Sequence, residues 1–235
     1  QVVGLLAMEP PAYRAYEAVQ IEKTKVFRAM REIQPDDLVR GQYKGYRKEA
    51  HVDPQSDVET FCALRLFIDS WRWEGVPWFL RSGKCMATTA AEVQVQFKAP
   101  PQKLFADTAP ADGRANYIRF RLSPRAEIAL AARVKRPGKN YVGEQRELLM
   151  MNEAADSDSP YERLLSDALA GDRSLFATQA AVESAWQALD RVLVEHHKAI
   201  MYEKGSWGPP EAEALLGRHG PWHRPCTDPD DAEPI

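Results

Sequence analysis

Three stretches between residues 91 and 135 alternate apolar and polar residues with period two and have no helical stretch between them. From Ala91 to Lys98 the apolar positions are Val93, Val95 and Phe97. From Tyr117 to Leu122 they are Ile118, Phe120 and Leu122, and from Glu127 to Lys135 they are Ile128, Leu130, Ala132 and Val134. Side chains alternate across a strand, so this pattern predicts three antiparallel strands with one apolar, buried face. Pro137-Gly138 closes the third strand with a turn. Strand following strand excludes a βαβ unit and points to an α+β fold, a large and mostly antiparallel sheet with helices packed on one face.

The flanks read as helical. Residues 1–9 resemble the end of a buried helix that Pro10-Pro11 breaks. A second helix is expected from about Tyr13 to Ile33, with Val19, Val26, Phe27 and Met30 apolar. Residues 59–70 fit either a buried strand or a helix, and the alternation of Ala63, Arg65 and Phe67 favours the strand. The aromatic run Trp71 to Trp78 reads as core packing at a strand junction. Ser159-Pro160-Tyr161-Glu162 is a capping box opening a helix that Gly171 stops. A last helix is expected from Gln179 to His196, with Val182, Trp186, Leu189 and Leu193 on one stripe. Residues 1–225 are read as one domain, and the acidic, proline-containing residues 226–235 as a disordered tail.

Charge and motifs exclude several functions. Thirty-one basic residues stand against 34 acidic ones, a net charge of −3. There is no basic excess of the kind that nucleic-acid binding requires. Cys62, Cys85 and Cys226 are few and far apart, which reads as free thiols in a reducing, cytoplasmic compartment. The five histidines, His51, His196, His197, His219 and His223, form no metal-ligand spacing. No GxGxxG or Walker loop and no GxSxG elbow is present. The chain opens on an apolar run with neither an initiator methionine nor a basic leader, as expected for the interior of a longer protein.

One motif stands out. In Phe79-Leu80-Arg81-Ser82-Gly83-Lys84 a glycine lets backbone approach a ligand, and the lysine beside it offers a point charge for phosphate. Read alone, such a pair fits an ordinary surface turn equally well.

Together with Leu6-Ala7-Met8-Glu9-Pro10-Pro11, Val39-Arg40-Gly41-Gln42-Tyr43, Glu59-Thr60-Phe61, Arg72-Trp73-Glu74-Gly75-Val76-Pro77, Tyr161-Glu162-Arg163-Leu164-Leu165 and Gly205-Ser206-Trp207-Gly208-Pro209, the motif resembles the glucose-6-phosphate dehydrogenase family over about residues 1–222. The resemblance implies oxidation of glucose 6-phosphate to 6-phosphogluconolactone with NADP, in the oxidative pentose phosphate pathway. It implies that Lys84 contacts the sugar phosphate. Many members carry a second basic residue five positions later, where this chain has Thr89, a hydroxyl without charge. Gln1 matches the end of the family's Asn-His-Leu-Leu-Gln run, which puts the general-base histidine before Gln1. The nucleotide-binding Rossmann domain that holds NADP is likewise expected upstream, so residues 1–235 alone are expected to be inactive. A homodimer or homotetramer paired through the sheet is also implied. Trp207 stands where animal members carry an arginine, so the resemblance gives no support for their second NADP site.

Overall fold

A computed structural model describes residues 1–98, 101–102, 105, 116–138, 141–151, 160–174 and 176–225. The chain forms two compact units, residues 1–87 with 158–222, and residues 88–157 with 223–235. The expected tail, Cys226 and the capping serine Ser159 lie outside the described residues.

The first unit is built on a four-stranded sheet. Its strands are β1 (Leu38–Tyr43), β2 (Phe61–Leu66), β3 (Trp78–Gly83) and β8 (Ile200–Tyr202), in the order β3-β2-β1-β8. β1 pairs antiparallel with β2, as does β2 with β3, whereas β8 runs parallel to β1. One face carries Leu64, Leu66, Trp78 and Leu80, which pack with Ala7, Val26, Ile33, Ile68 and Val192. These come largely from helices α1 (Val2–Ala7), α2 (Tyr16–Arg28) and α5 (Asp190–Val194). The opposite face packs Tyr43, Phe61, Ala63 and Tyr202 against Ala212 and Leu215 of a 3-10 segment, Pro210–His219.

The helices differ from expectation at their ends. α2 places Glu17 in its first turn and Lys25 and Arg28 in its last, matching the helix dipole. It stops at Arg28 because the chain beyond turns extended: Met30 bridges Ile68, and Arg31 N–H donates to Phe67 O at 3.0 Å. The helix expected over 179–196 is two, α4 (Gln179–Gln187), capped by Thr178 Oγ1, and α5, so His196 and His197 fall beyond helical structure. α3 (Pro160–Ala170) stops at Gly171 as expected, with φ at +73°. Residues 61–66 are a strand, which settles the 59–70 alternative. Of the aromatic run, Trp73 and Trp78 stack edge to face at 4.7 Å, while Trp71 is fully exposed.

The second unit is a four-stranded antiparallel sheet, β4 (Ala91–Gln96), β5 (Tyr117–Ser123), β6 (Glu127–Lys135) and β7 (Gly143–Met151), in sequence order. The three expected strands are all present, and the α+β reading holds with strands divided between two sheets. The faces are the reverse of expectation. Arg119, Glu127, Ala129 and Ala131 are buried, whereas Ile128, Leu130, Leu148 and Met150 are exposed. Register puts Ile118 beside Leu130, Phe120 beside Ile128, and Leu130 beside Leu148, so these residues share one open apolar face. The alternation predicts two unlike faces but not which one is covered. The covered face is tolerable to burial because its charges neutralise one another. Arg119 pairs with Glu127 and Glu147, both at 3.0 Å, and with Glu92 at 3.4 Å. Arg121 pairs with Glu92 at 2.6 Å and Glu127 at 3.3 Å.

Candidate functional site: the Gly83-Lys84 turn

Four of the short motifs in the sequence meet around one side chain. Phe61, 1% exposed, lies in β2 opposite Gly41 of β1 and Gly83 of β3. A Cβ on Gly83 would lie 2.8 Å from Phe61 Cδ2, and one on Gly208 would lie 2.6 Å from Phe61 Cζ. Real Cβ atoms do not come so close, so Gly83 and Gly208 are the residues that admit the ring. Gly208 also holds φ at +97°, a conformation that costs an L-residue free energy. Tyr202 packs on Phe61 at 5.6 Å and on Tyr43 at 6.4 Å.

This packing fixes the turn after β3. Lys84 N–H donates to Thr60 O at 2.8 Å, and the Tyr202 hydroxyl donates to Lys84 O at 2.6 Å. Burial pushes the Tyr202 pKa up, against the Thr60 hydrogen bond that lowers it, so the hydroxyl stays a donor near neutrality. Gly205 N–H donates to Cys85 O at 2.8 Å and Ala87 N–H to Ser206 O at 2.9 Å, stitching the turn to the Gly205–Pro209 loop. Cys85, at φ +51°, makes the sharp bend. Both main-chain groups of Lys84 are thus held, while its side chain is exposed and its ammonium has no protein partner among the described residues. A fixed backbone that presents an uncommitted cation is an arrangement suited to an anion such as phosphate.

The neighbouring cations are committed. Arg81 lies between two indoles, its guanidinium carbon 4.9 Å from the Trp207 ring and 5.0 Å from the Trp222 ring. Each such contact contributes about 0.5–1 kcal/mol where exposed. Trp222 Nε1 donates to Ala212 O at 2.9 Å, which ties residue 222 to the 3-10 segment. Lys204 pairs with Glu49 at 3.4 Å and lies over Tyr43 at 4.7 Å. Thr89, the other expected phosphate contact, is exposed and belongs to the second unit, just before β4.

The histidines serve other contacts. His219 stacks on Phe79 at 5.5 Å, His223 Nε2 lies 2.7 Å from Glu92, and His197 Nε2 lies 3.3 Å from Asp36. Sequence reasoning overlooked Arg40. Nine-tenths buried, it donates to Glu59 at 2.7 Å and to Asp57 O at 2.9 Å, and its Nη1 lies 2.8 Å from His196 Nδ1. Burial works to raise the Glu59 pKa, but the Arg40 hydrogen bond and charge prevail and hold it below the usual carboxylate value. Arg40 and Glu59 lie in the Val39–Tyr43 and Glu59–Phe61 motifs, so these two motif residues hold structure here. Among the described residues no group of histidine, cysteine and carboxylate side chains is placed to hold a metal, and no helix is long and apolar enough to cross a membrane. Cys62 and Cys85 are free thiols, and burial first of all pushes that of Cys62 up.

Comparison with known proteins gives this geometry its context. Residues 1–223 match the family model described as glucose-6-phosphate dehydrogenase, C-terminal domain. Glucose-6-phosphate 1-dehydrogenase 1 of Mycobacterium tuberculosis (strain CDC 1551 / Oshkosh) is 35% identical over 226 residues, covering 96% of this chain and 48% of that protein. The enzyme of Treponema pallidum (strain Nichols) is 36% identical over 252 residues, with 96% and 48% covered. The crystal structure of glucose-6-phosphate 1-dehydrogenase from Mycobacterium avium superposes with a TM-score of 0.87 at 36% identity, covering 97% of this chain and 50% of that one. A glucose-6-phosphate dehydrogenase in complex with its substrate glucose-6-phosphate superposes with a TM-score of 0.79 at 29% identity, covering 95% and 49%. This chain therefore spans about half the length of the curated relatives it matches. With the family model covering nearly its whole length, the chain belongs to the glucose-6-phosphate dehydrogenase family, as its C-terminal domain.

Proposed function

We propose that this chain supplies the sugar-phosphate side of a glucose-6-phosphate dehydrogenase that passes hydride from C1 of glucose 6-phosphate to NADP. The observation that carries the reading is Lys84, whose backbone is held by Thr60 and Tyr202 while its ammonium is left for a ligand. A solved relative holding glucose 6-phosphate supports the choice of phosphate. The second contact from this chain is Thr89, which offers a hydroxyl in place of the usual cation. NADP and the general-base histidine belong to the Rossmann half expected before Gln1, so residues 1–235 by themselves do not turn over. Residues 1–225 act as the substrate-binding and dimerisation domain, with 226–235 a tail. The setting is the cytoplasm and the oxidative pentose phosphate pathway.

The open apolar face of the second sheet supports the dimer. Ile128, Leu130, Leu148 and Met150 lie side by side and are 42–66% exposed. Such a continuous apolar face favours association with a second copy through a two-fold axis. The test of the main reading is steady-state turnover of the full-length protein with glucose 6-phosphate and NADP, read by the absorbance of the reduced nicotinamide. Turnover that Lys84→Ala impairs through the sugar-phosphate KM is the expected result. Absence of turnover on any hexose phosphate would overturn it.

A further inference from the structure

Tyr202 lies in β8 opposite Tyr43 of the parallel strand β1, and it is 3% exposed. Its packing on Phe61 and Tyr43 needs only the ring, so a phenylalanine would serve the core as well. A buried hydroxyl costs free energy unless it is hydrogen-bonded. This one lies 2.6 Å from Lys84 O, and 3.2 Å from both Thr60 O and Thr60 Oγ1. A phenol has one proton to give, and Lys84 O is the nearest acceptor. Thr60 Oγ1 is then left to donate to the Tyr202 oxygen, while it accepts from Tyr43 N–H at 2.9 Å. The result is a directed chain from Tyr43 N–H through the Thr60 and Tyr202 hydroxyls to Lys84 O. An amide N–H can only donate and a carbonyl oxygen can only accept, so the direction is fixed from both ends. A buried chain with every member satisfied is rigid.

We propose that the Tyr202 hydroxyl, aimed by the Thr60 hydroxyl, is a positioning group for the sugar-phosphate site, acting through Lys84 and touching no ligand itself. This rests on the reading of Lys84 as the phosphate contact. The carbonyl that Tyr202 grips belongs to the peptide between Lys84 and Cys85. Rotation of that peptide would change Lys84 ψ together with Cys85 φ. Cys85 holds φ at +51°, a conformation that stores strain in a residue with a side chain, and turning the peptide over would release it. The Tyr202 hydroxyl opposes that turn. Thr60 O holds the peptide on the other side of Lys84 through its N–H, at 2.8 Å. With both flanking peptides fixed, the direction in which the Lys84 side chain leaves the backbone is fixed, and only its own rotamers remain to be ordered when an anion binds.

The experiment is a double-mutant cycle in the full-length protein, with Tyr202→Phe, Lys84→Ala and the two together. Tyr202→Phe keeps the ring and removes the hydroxyl. It is expected to raise the KM for glucose 6-phosphate about 3- to 10-fold, the size of one neutral hydrogen bond, with kcat and the KM for NADP little changed. In the Lys84→Ala background it is expected to bring no further rise, because the group that it positions is gone. A merely structural role would give the same rise with the lysine or without it. A sugar-phosphate KM that Tyr202→Phe leaves unmoved, or raises equally in both backgrounds, overturns the positioning role, and a rise caused by Lys84→Ala then still upholds the phosphate contact. Lys84→Ala without effect overturns both. If Tyr202→Phe fails to fold, Thr60→Val carries the same cycle, since it removes the hydroxyl that directs the Tyr202 proton and leaves both rings in place. Calorimetric titration with glucose 6-phosphate reads the same cycle as binding constants, so absence of turnover counts against the dehydrogenase reading and leaves the positioning role to the titration.

Discussion

Lys84 and Gly208 mark two kinds of dependence in the same few ångströms. Lys84 contributes nothing visible to the fold through its side chain, so Lys84→Ala is expected to leave Tm within about 1 °C, in keeping with small effects at surface positions. Under the proposed function, the same change in the full-length protein removes a charge-assisted bond to phosphate, worth about 1.5–3 kcal/mol. That predicts a rise of roughly 10- to 150-fold in the KM for glucose 6-phosphate, with the KM for NADP little changed. An unmoved sugar-phosphate KM would take Lys84 out of the site. Gly208→Ala acts the opposite way. Its Cβ would meet the Phe61 ring in a backbone conformation with φ at +97°, and a loss of about 2 kcal/mol or more is expected in urea titration. A variant as stable as the wild type would show that the Phe61 ring can move aside.

The strands show how far sequence reached and where it stopped. β4, β5 and β6 were legible because alternation is a direct image of the pleat. Which face is covered was not legible, because the arginines and glutamates that fill the buried face read singly as solvent-exposed. Only their cross-strand register turns them into a neutral array. β1 was hidden for a related reason: Arg40 and Gln42 sit in its interior, and Gln42 is fully buried because its amide donates to Ser56 O and Val58 O at 3.0 and 2.9 Å. β7 begins with the polar run Glu144 to Glu147, which carries no apolar alternation. At the candidate site, Lys84 was legible only through resemblance. The clamp of Arg81 by Trp207 and Trp222 joins residues more than a hundred positions apart and leaves no local trace.

The charged array predicts a pH dependence. Burial acts to raise the Glu92 pKa, but hydrogen bonds from His223 and Arg121, with the charges of His223 and Arg119, outweigh it and hold the pKa below the usual carboxylate value. A group lowered on folding contributes stability above its unfolded pKa and loses it as pH falls through the folded one. Acid is therefore expected to weaken this sheet below the ordinary carboxylate range, and Glu92→Gln to flatten that part of the stability profile. An unchanged acid limb in the variant would assign the dependence to other carboxylates.

For the whole molecule, the expectation is a dimer paired through the second sheet. Leu148 and Leu130 lie opposite one another on its open face, so Leu148→Lys with Leu130→Glu places charges where a partner's apolar side chains would come. Light scattering should then read monomer where the wild type reads dimer, with the sheet intact by circular dichroism. A wild-type protein that is monomeric at every concentration would exclude the pairing. The same molecule carries its own optical probe. Arg81 is fixed against two indoles on β3, the strand that leads into Lys84, and a cation held over an indole perturbs its emission. An anion that draws the end of β3 toward itself will alter that contact. Intrinsic fluorescence can then report occupancy at Lys84 without a label, the fully exposed Trp71 serving as the solvent reference.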